Sequence, residues 1–328
     1  MQFIGYRIRR DDHGISADFE EMEIDQLTPG EVVIRVNYSA INYKDALAAS
    51  GKGRILKAPE VNGGIDLAGE VVSSINDRFK PGDRVLACGY GLSESIDGGY
   101  AEYARLDSDK LVMIPDNLSY REAMAIGTAG FTAALALIKM EINGQTKDDG
   151  PILITGATGG VGSFAINLFS MLNYEVVAMT GKIEAMSYLK AIGAKNILDR
   201  TQLQMDERTL EHARWAGAID NVGGDILSWI TRTVMPYGNI ASVGLASSSK
   251  LETTVMPFIL RAVSILGINS NPPCELRDEI WQRLSHELKP SKLETIASRV
   301  ISFNELPKEF DAYINASVMG RTIVKIKD

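Results

Sequence analysis

The chain has 328 residues, 45% of them hydrophobic and 23% charged, proportions that suit a globular protein of about two domains. Its 42 acidic residues outnumber its 34 basic ones, and the formal net charge of -8 argues against a nucleic-acid or anionic-membrane partner. The two cysteines, Cys88 and Cys274, form no C-x-x-C pair, which excludes a disulfide framework and a zinc ribbon. The N-terminus builds no apolar signal segment and no run of 18 apolar residues follows, so we expect a cytoplasmic protein.

The first 120 residues predict short strands separated by turns. EVVIRVNYSAI at 31–41 follows a Thr-Pro-Gly turn and alternates at period 2, which places on one face Val32, Ile34, Val36 and Tyr38. Further strands are predicted in DLAGEVVSSI, DRVLACGY and GGYAEYARL, with the glycine and proline spacing of a small barrel or sandwich. A capping box at Ser119 and Glu122 then predicts the start of a helix.

From residue 151 onward, predicted strands alternate with predicted helices, which is typical of a parallel sheet wrapped by helices. After residue 268 a helix, ELRDEIWQRLSHEL, leads to a closing strand, RTIVKIK, whose alternation predicts a half-buried strand. We assign this closing segment to the first domain. The predicted organisation is therefore a largely β domain of residues 1–120 and 269–328, with a doubly wound parallel-sheet domain of residues 121–268 inserted into it.

A glycine-rich turn provides the strongest chemical signal. In ILITGATGGVG at 152–162 a buried strand ends in small residues that open a helix, so backbone amides and the positive helix end converge on one point. Such a turn binds a diphosphate, although a tight strand-to-helix turn without a ligand has the same pattern. The second strand, EVVAMT, favours dinucleotide binding, and the expected contacts are Gly156, Thr158, Gly159, Gly160, Val161 and Gly162.

The end of the second strand predicts the choice of coenzyme. An NAD-binding site usually has an acidic residue there for the ribose 2′-hydroxyl, whereas this chain has Thr180, Gly181 and Lys182. A hydroxyl, an exposed amide and an ammonium suit a 2′-phosphate, so we expect NADPH. Arg200, after the third strand, either reaches the same phosphate or is a solvated surface arginine. Glu184 either points to the ribose or faces solvent on the next helix, and we favour the latter.

No metal site is predicted. The histidines at 13, 212 and 286 lie far apart without ligand spacing, and neither cysteine has a nearby partner ligand. A short-chain reductase is also disfavoured, because no tyrosine has a lysine four positions later.

Several stretches together carry a family resemblance: INYKD at 41–45, GIDLAG at 64–69, GDRV at 82–85, GGYAE at 98–102, GTAGFTA at 127–133 and GGVG at 159–162. Over essentially its whole length the chain resembles the zinc-free medium-chain dehydrogenase/reductase superfamily, in particular the acrylyl-CoA reductase subfamily of the quinone oxidoreductase branch. The resemblance implies a GroES-like β domain with an inserted Rossmann domain. One departure is VNGG at 61–64, where relatives usually have a proline.

The resemblance also implies the type of reaction. Zinc-using members place a cysteine near residues 42–45 and Gly-His-Glu at 64–66, and both ligands are missing here. Without a Lewis acid, hydride addition to an activated double bond is expected, as in a short 2-enoyl-CoA such as acrylyl-CoA, or reduction of a quinone. A third possibility, of another class, is an NADPH-binding regulatory protein with little turnover.

The same resemblance assigns roles to individual residues. Tyr43 is expected at the nicotinamide, orienting the ring or a proton, unless it is an ordinary packing tyrosine; Asp45 orients its loop or forms a local salt bridge. Leu245, Ser270 and Asn315 are expected around the nicotinamide half of NADPH, in a cleft between the domains. A homodimer formed by edge-to-edge pairing of SILGINS is also implied. The basic loop at 52–57, with Lys52, Arg54 and Lys57, either meets CoA phosphates or is a solvated charge run, and we favour the latter.

Overall fold

The computed structural model describes residues 2–206 and 208–327. The strands of these residues, in chain order, are β1 Gln2–Asp11, β2 Gly14–Glu23, β3 Val32–Ala40, β4 Glu60–Asn62, β5 Asp66–Ser74, β6 Arg84–Cys88, β7 Tyr103–Leu106, β8 Val112–Met113, β9 Ile152–Ile154, β10 Val176–Thr180, β11 Asn196–Asp199, β12 Trp215–Asp220, β13 Val234–Ser242, β14 Ser264–Gly267, β15 Arg299–Ser302 and β16 Thr322–Lys325. The α-helices are α1 Tyr43–Ser50, α2 Tyr120–Ile142, α3 Gly160–Met171, α4 Met186–Ala191, α5 Gly224–Thr233, α6 Met256–Arg261, α7 Cys274–Ser285, α8 Leu293–Ile296 and α9 Phe310–Ile314.

The chain folds into two compact units. The first contains the described residues of Met1–Thr128, Asn271–Ser285 and Ala297–Asp328, and the second contains those of Ala129–Ser270 and His286–Ile296. The division into domains at 1–120, 121–268 and 269–328 stays a prediction, and its end residues Met1 and Asp328 lie outside the described residues. Besides a start of the first unit's C-terminal segment at Asn271 instead of residue 269, the observed units differ from that division in two places, each with a physical reason.

Side-chain hydrogen bonds explain both differences. The start of α2 belongs to the first unit because the hydroxyl of Thr128 donates to Asp66 at 2.5 Å and Arg321 Nε donates to the carbonyl of Ala125 at 3.3 Å. Residues 286–296 belong to the second unit, since Asn167 Nδ2 on α3 donates to Ser291 Oγ at 3.2 Å. Contacts between residues far apart in sequence thus decide the bounds of each unit.

The first unit is built on two β-sheets. The larger has the strand order β15-β16-β3-β5-β6-β8, with β7 paired to β3, and the smaller has the order β2-β1-β4. Val32, Ile34 and Val36 are buried in its core, which confirms the period-2 prediction for β3. The prediction of a half-buried closing strand was wrong: Thr322, Ile323 and Val324 are all buried, so both faces of β16 are covered, and Val324 belongs to the core of this unit.

The second unit contains a parallel sheet of six strands in the order β11-β10-β9-β12-β13-β14. This is the predicted doubly wound arrangement, in which the strand order reverses beside β9. The apolar strands bury their side chains against the helices, and Trp229 of α5 is fully buried in this core. The architecture brings the C-terminal ends of the parallel strands to one edge.

Helix α2 is the most apolar long helix among the described residues. The predicted capping box is present at its start, where the Ser119 amide donates to Glu122 Oε2 at 2.9 Å and the Glu122 amide donates to Ser119 Oγ at 3.1 Å. This helix is long and apolar enough to cross a membrane, but 89% of its most apolar 18-residue stretch is buried inside the protein, as in a core helix. Gly127 interrupts it with φ of 47°, a left-handed backbone angle that favours glycine.

Candidate functional site

The predicted coenzyme-binding residues of the second unit lie along one edge of its parallel sheet. The glycine-rich turn follows β9, Thr180 is the last residue of β10, and Asp220 is the last residue of β12. Leu245 and Ser270 follow the neighbouring strands β13 and β14. Ligands of open α/β sheets bind at this edge, where the strand order reverses.

The glycine-rich turn has the geometry of a diphosphate site. Gly156 has φ of 57°, and a Cβ atom on Gly162 would lie 2.4 Å from the carbonyl oxygen of Gly156, so neither position accepts a side chain without a shift. Gly159 caps the N-terminus of α3, so the first amides of this 12-residue helix face the turn. The residues present therefore fit a dinucleotide.

Two residues at the end of β12, which carried no signal of their own in the sequence, hold this turn. Thr155 Oγ1 donates to Asp220 Oδ1 at 2.7 Å, and Asn221 Nδ2 donates to the Thr155 carbonyl at 2.8 Å. Burial raises the pKa of Asp220, while its bond from Thr155 opposes the rise. The turn is thus fixed by its neighbouring strand as well as by its own glycines.

The residues predicted to bind the ribose phosphate are brought together. The amide of Lys182 donates to Thr180 Oγ1 at 3.0 Å, and a Cβ atom on Gly181 would lie 3.0 Å from Arg200 Nη2. The Arg200 guanidinium therefore lies beside Gly181, where a larger residue would push it away. Burial lowers the pKa of Lys182 and the nearby carboxylate of Glu184 raises it in part, which marks a partly desolvated ammonium that a phosphate would stabilise.

The predicted nicotinamide contacts divide between the units. Leu245 is 66% exposed in the second unit, and Ser270 is that unit's last residue before residue 286. Tyr43, Asp45 and Asn315 belong to the first unit. Asn315 is exposed and ends α9, where its amide donates to the carbonyl of Asp311 at 2.9 Å. The roles of these residues in coenzyme binding stay predictions.

The first unit contains a buried polar cluster at the start of α1. Asn42 caps this helix, and its Nδ2 donates to Asp66 Oδ2 at 2.9 Å. Asp45 is fully buried, and its carboxylate accepts hydrogen bonds from the amides of Asn42 at 2.8 Å and Ile65 at 2.9 Å. Tyr43, between them, is 43% exposed. The cluster thus fixes the turn that presents Tyr43.

Arg321 completes this cluster from the far end of the chain. Its Nη2 donates to Asp66 Oδ2 at 3.2 Å and its Nη1 donates to Asn42 Oδ1 at 2.7 Å. Thr128 contributes its amide, which donates to Asp66 Oδ2 at 3.1 Å. Asn42, Asp66 and Thr128 stand in the stretches that carry the family resemblance, yet nothing in the sequence assigned them, or Arg321, to one cluster.

The charges in this cluster do not fit a zinc ion. A cation at Asp66 would face the Arg321 guanidinium, and Asn42 contributes an amide instead of a thiolate. In the described ranges, 2–206 and 208–327, no three His, Cys, Asp or Glu side chains group closely enough to hold a metal ion. That the protein works without a metal stays a prediction.

Asp45 gives a prediction of pH dependence. Burial, and then the charge of Asp66, raise the pKa of Asp45 from 3.8 to about 7. Between these values the folded protein binds a proton that the unfolded chain releases, so the contribution of this group to stability falls as the pH rises from about 4 to about 7.

We therefore expect the melting temperature of the wild type, relative to that of Asp45→Asn, to fall between pH 5 and pH 7.5. Of a full contribution of about 4 kcal/mol, about 2.5 kcal/mol is lost within this pH range. Thermal melts of both proteins across this range measure it, and Asp18→Asn, a change at an exposed residue of β2, is the control. A constant difference between wild type and Asp45→Asn would contradict the raised pKa.

The basic loop at 52–57 is partly neutralised within its own unit. Lys57 Nζ lies 2.7 Å from Glu94 Oε2, and Lys44 pairs with the other oxygen of the same carboxylate. Lys52 and Arg54 are less constrained, Lys52 being exposed. Lys57 is thus committed to an ion pair, which fits the solvated-surface interpretation better than a phosphate site.

Two family models match the chain. The alcohol dehydrogenase GroES-like domain matches residues 28–116, and the model described as zinc-binding dehydrogenase matches residues 160–286. The class defined by the fold is therefore a dehydrogenase with a GroES-like domain and a Rossmann coenzyme-binding domain, which confirms the predicted fold class.

Proteins that are similar to this chain over nearly its whole length define its group within this class. The probable acrylyl-CoA reductase AcuI of Escherichia coli is 44% identical over 94% of this chain and 95% of the relative. The putative quinone oxidoreductase YhfP of Bacillus subtilis is 42% identical over 95% of each. The chain belongs to the medium-chain dehydrogenase/reductase superfamily, in the group that includes these two proteins, and it is an oxidoreductase.

Solved structures agree with this assignment. The YhdH oxidoreductase of Salmonella enterica, described in complex with NADP, is 44% identical, covers 100% of both chains and has a TM-score of 0.94. YhfP of Bacillus subtilis, described with NAD bound, is 41% identical, covers 99% of this chain and 100% of its own, and has a TM-score of 0.95. Similar folds thus bind either nicotinamide coenzyme, and local residues have to decide between them.

Proposed function

We propose that the protein is an NADPH-dependent reductase that adds hydride to the activated double bond of a short 2-enoyl-CoA, such as acrylyl-CoA, without a metal. The observation that supports NADPH as the coenzyme is the group formed by Thr180, Gly181, Lys182 and Arg200, whose two cations suit an anion, while the nearby Glu184 is exposed. An anionic 2′-phosphate is stabilised by such a group, whereas NADH gains nothing from it. The relative of Salmonella enterica described with NADP supports this choice.

The charged cluster of the first unit supports the proposed reaction type. Because Asn42, Asp66 and Arg321 stabilise each other, they provide no Lewis acid to polarise an alcohol or a ketone. A substrate whose double bond is already activated by a thioester needs no Lewis acid. The identity to proteins named as acrylyl-CoA reductases, 44% in Escherichia coli and 41% in Ruegeria pomeroyi, supports an enoyl-CoA.

Bound NADPH supplies the hydride that the β-carbon of the acyl group takes. The chain's residues hold the reactants: the glycine-rich turn binds the diphosphate, while Lys182 and Arg200 bind the ribose phosphate. The α-carbon then takes a proton, and Tyr43, which is partly exposed, is the side-chain candidate for orienting or delivering it. Asp45 is fully buried and acts as a positioning residue for the turn that carries Tyr43.

A second candidate is an NADPH:quinone oxidoreductase, favoured by the relative named putative quinone oxidoreductase YhfP, at 42% identity. A regulatory protein that binds NADPH with little turnover is the candidate of another class.

In each case we propose a cytoplasmic homodimer that pairs its sheets through β14. This strand is an edge of the six-stranded sheet, so one of its backbone edges has no neighbouring strand within the described part of the chain.

A panel of substrates distinguishes these candidates. We expect oxidation of NADPH, followed at 340 nm, with a kcat/KM for acrylyl-CoA that exceeds the value for benzoquinone or naphthoquinone on the order of 100-fold. The same assay after dialysis against EDTA is expected to be unchanged. Faster turnover of quinones would favour the second candidate, and tight NADPH binding without turnover of any acceptor would favour the third.

A further inference from the structure

Residues 89–94 form a short strap in the first unit whose backbone is strained. Gly89, Tyr90, Gly91 and Ser93 all have positive φ, of 79°, 52°, 94° and 63°. Tyr90 and Ser93 are not glycines, so their left-handed conformation persists only where surrounding contacts enforce it. Strain of this kind is concentrated at functional sites.

The first end of the strap is bonded to the buried cluster at α1. The amide of Gly89 donates to the carbonyl of Ile65 at 2.8 Å, and the amide of Ile65 donates to Asp45 Oδ1 at 2.9 Å. One residue therefore separates the strap from the carboxylate that fixes the start of α1.

Asn271 contacts the same end of the strap. Its Oδ1 accepts a hydrogen bond from the Tyr90 amide at 3.1 Å, and a Cβ atom on Gly89 would lie 2.3 Å from that oxygen. The Tyr90 hydroxyl donates to the carbonyl of Pro272 at 2.5 Å, and the Arg277 guanidinium lies 5.1 Å from the centre of the Tyr90 ring. Asn271 directly follows Ser270, a proposed nicotinamide contact.

The other end of the strap is fixed by Glu94. This residue is 8% exposed, and its carboxylate pairs with Lys44 and with Lys57. Its carbonyl accepts the amide of Lys57 at 2.7 Å. Since Lys44 directly follows Tyr43, both ends of the strap act on residues adjacent to proposed nicotinamide contacts.

We propose that the strap is a positioning element for the nicotinamide end of the coenzyme, with Asn271 and Glu94 as its positioning residues. Asn271 fixes the chain next to Ser270, and Glu94 fixes the turn next to Tyr43. Neither residue needs to touch the substrate. This inference rests on the proposed function, because Tyr43 and Ser270 are proposed contacts, and it adds residues outside the glycine-rich turn and the ribose-phosphate group.

The test replaces Asn271 by alanine, which removes the acceptor of the Tyr90 amide, and by aspartate, which keeps an acceptor oxygen. We expect Asn271→Ala to lower kcat about tenfold with the best acceptor of the panel, because small displacements of reacting groups slow transfer. The kinetic isotope effect with 4-deuterated NADPH should rise, and the Kd of NADPH should stay within about threefold because the phosphate contacts remain. Asn271→Asp should recover most of kcat.

Asn76→Ala is the matched control. Asn76 Oδ1 likewise accepts a backbone amide, from Arg78 at 3.0 Å, in an exposed turn of the same unit. We expect its kcat and isotope effect to equal those of the wild type. Unchanged kcat in Asn271→Ala, or a loss equal to that of Asn76→Ala, would overturn the proposal, as would a loss explained by the unfolded fraction in a thermal melt.

A coenzyme-binding measurement separates this proposal from the proposed function. The fluorescence emission of bound NADPH reports the surroundings of the nicotinamide without any acceptor. We expect Asn271→Ala and Glu94→Gln to shift this emission and Asn76→Ala to leave it unchanged. If the wild type reduced no acceptor, the proposed function would fail, but the emission spectra would still test the role of the strap. Identical spectra in all variants would contradict the proposed role of the strap.

Discussion

Replacing Lys182 by alanine is expected to lower kcat/KM for NADPH by about 10- to 100-fold and to leave that for NADH within about threefold. The reason is a charge-assisted contact that only the phosphorylated ribose makes. The Lys182 ammonium is partly desolvated, and its backbone amide is already bonded to Thr180 Oγ1, so the residue has a defined position beside Gly181 and Arg200. Steady-state rates with both coenzymes measure the change.

Arg200→Ala is expected to change the same ratio in the same direction, because its guanidinium lies next to Gly181. Lys195→Ala is the matched control: this lysine pairs with Glu175 at 2.7 Å on the surface of the same unit and has no proposed role in binding. If Lys182→Ala and Lys195→Ala showed the same ratio of NADPH to NADH efficiency, the account of coenzyme choice would be wrong.

Replacing Arg321 by alanine is expected to destabilise the protein by about 3 to 5 kcal/mol, since it leaves the carboxylate of Asp66 buried without its ionic partner. Both side chains of the pair are almost completely buried, so water cannot replace the lost guanidinium. A fall in melting temperature of about 10 °C corresponds to this change. The kcat should fall as well, because Asn42 loses its bond from Arg321 and with it the fixed start of α1.

The exposed pair of Arg35 and Glu70, at 3.1 Å, offers the comparison. Arg35→Ala is expected to cost less than about 1 kcal/mol, because solvent and side-chain freedom offset a surface ion pair. Equal shifts in melting temperature for Arg321→Ala and Arg35→Ala would show that the cluster at α1 contributes nothing beyond an ordinary surface contact.

The coenzyme-binding unit was the most predictable part of the molecule. Its signals are local: an apolar strand, the glycines of 156–162 and the start of α3 follow each other directly, so turn chemistry and helix capping determine their structure. The ends of neighbouring parallel strands then meet at one edge, which brings Arg200 beside Gly181 although 19 positions separate them. By contrast, the hairpin of β1 and β2 was not predicted: β1 buries Phe3, Tyr6 and Ile8, whereas β2 is largely exposed and rich in acidic residues.

The sequence by itself determined the parallel sheet, the glycine-rich turn and the position of the cations that we propose for a ribose phosphate, because each depends on residues within one or two adjoining elements. Only the tertiary structure decided that Arg321 lies beside Asn42 and Asp66, with 279 positions between the first two, and that Asn271 accepts the amide of Tyr90, 181 positions away. Local patterns specify backbone conformation, whereas the partner of a buried charge depends on which distant segments pack together. The residues that position Tyr43 and Ser270 therefore became visible only in the folded chain.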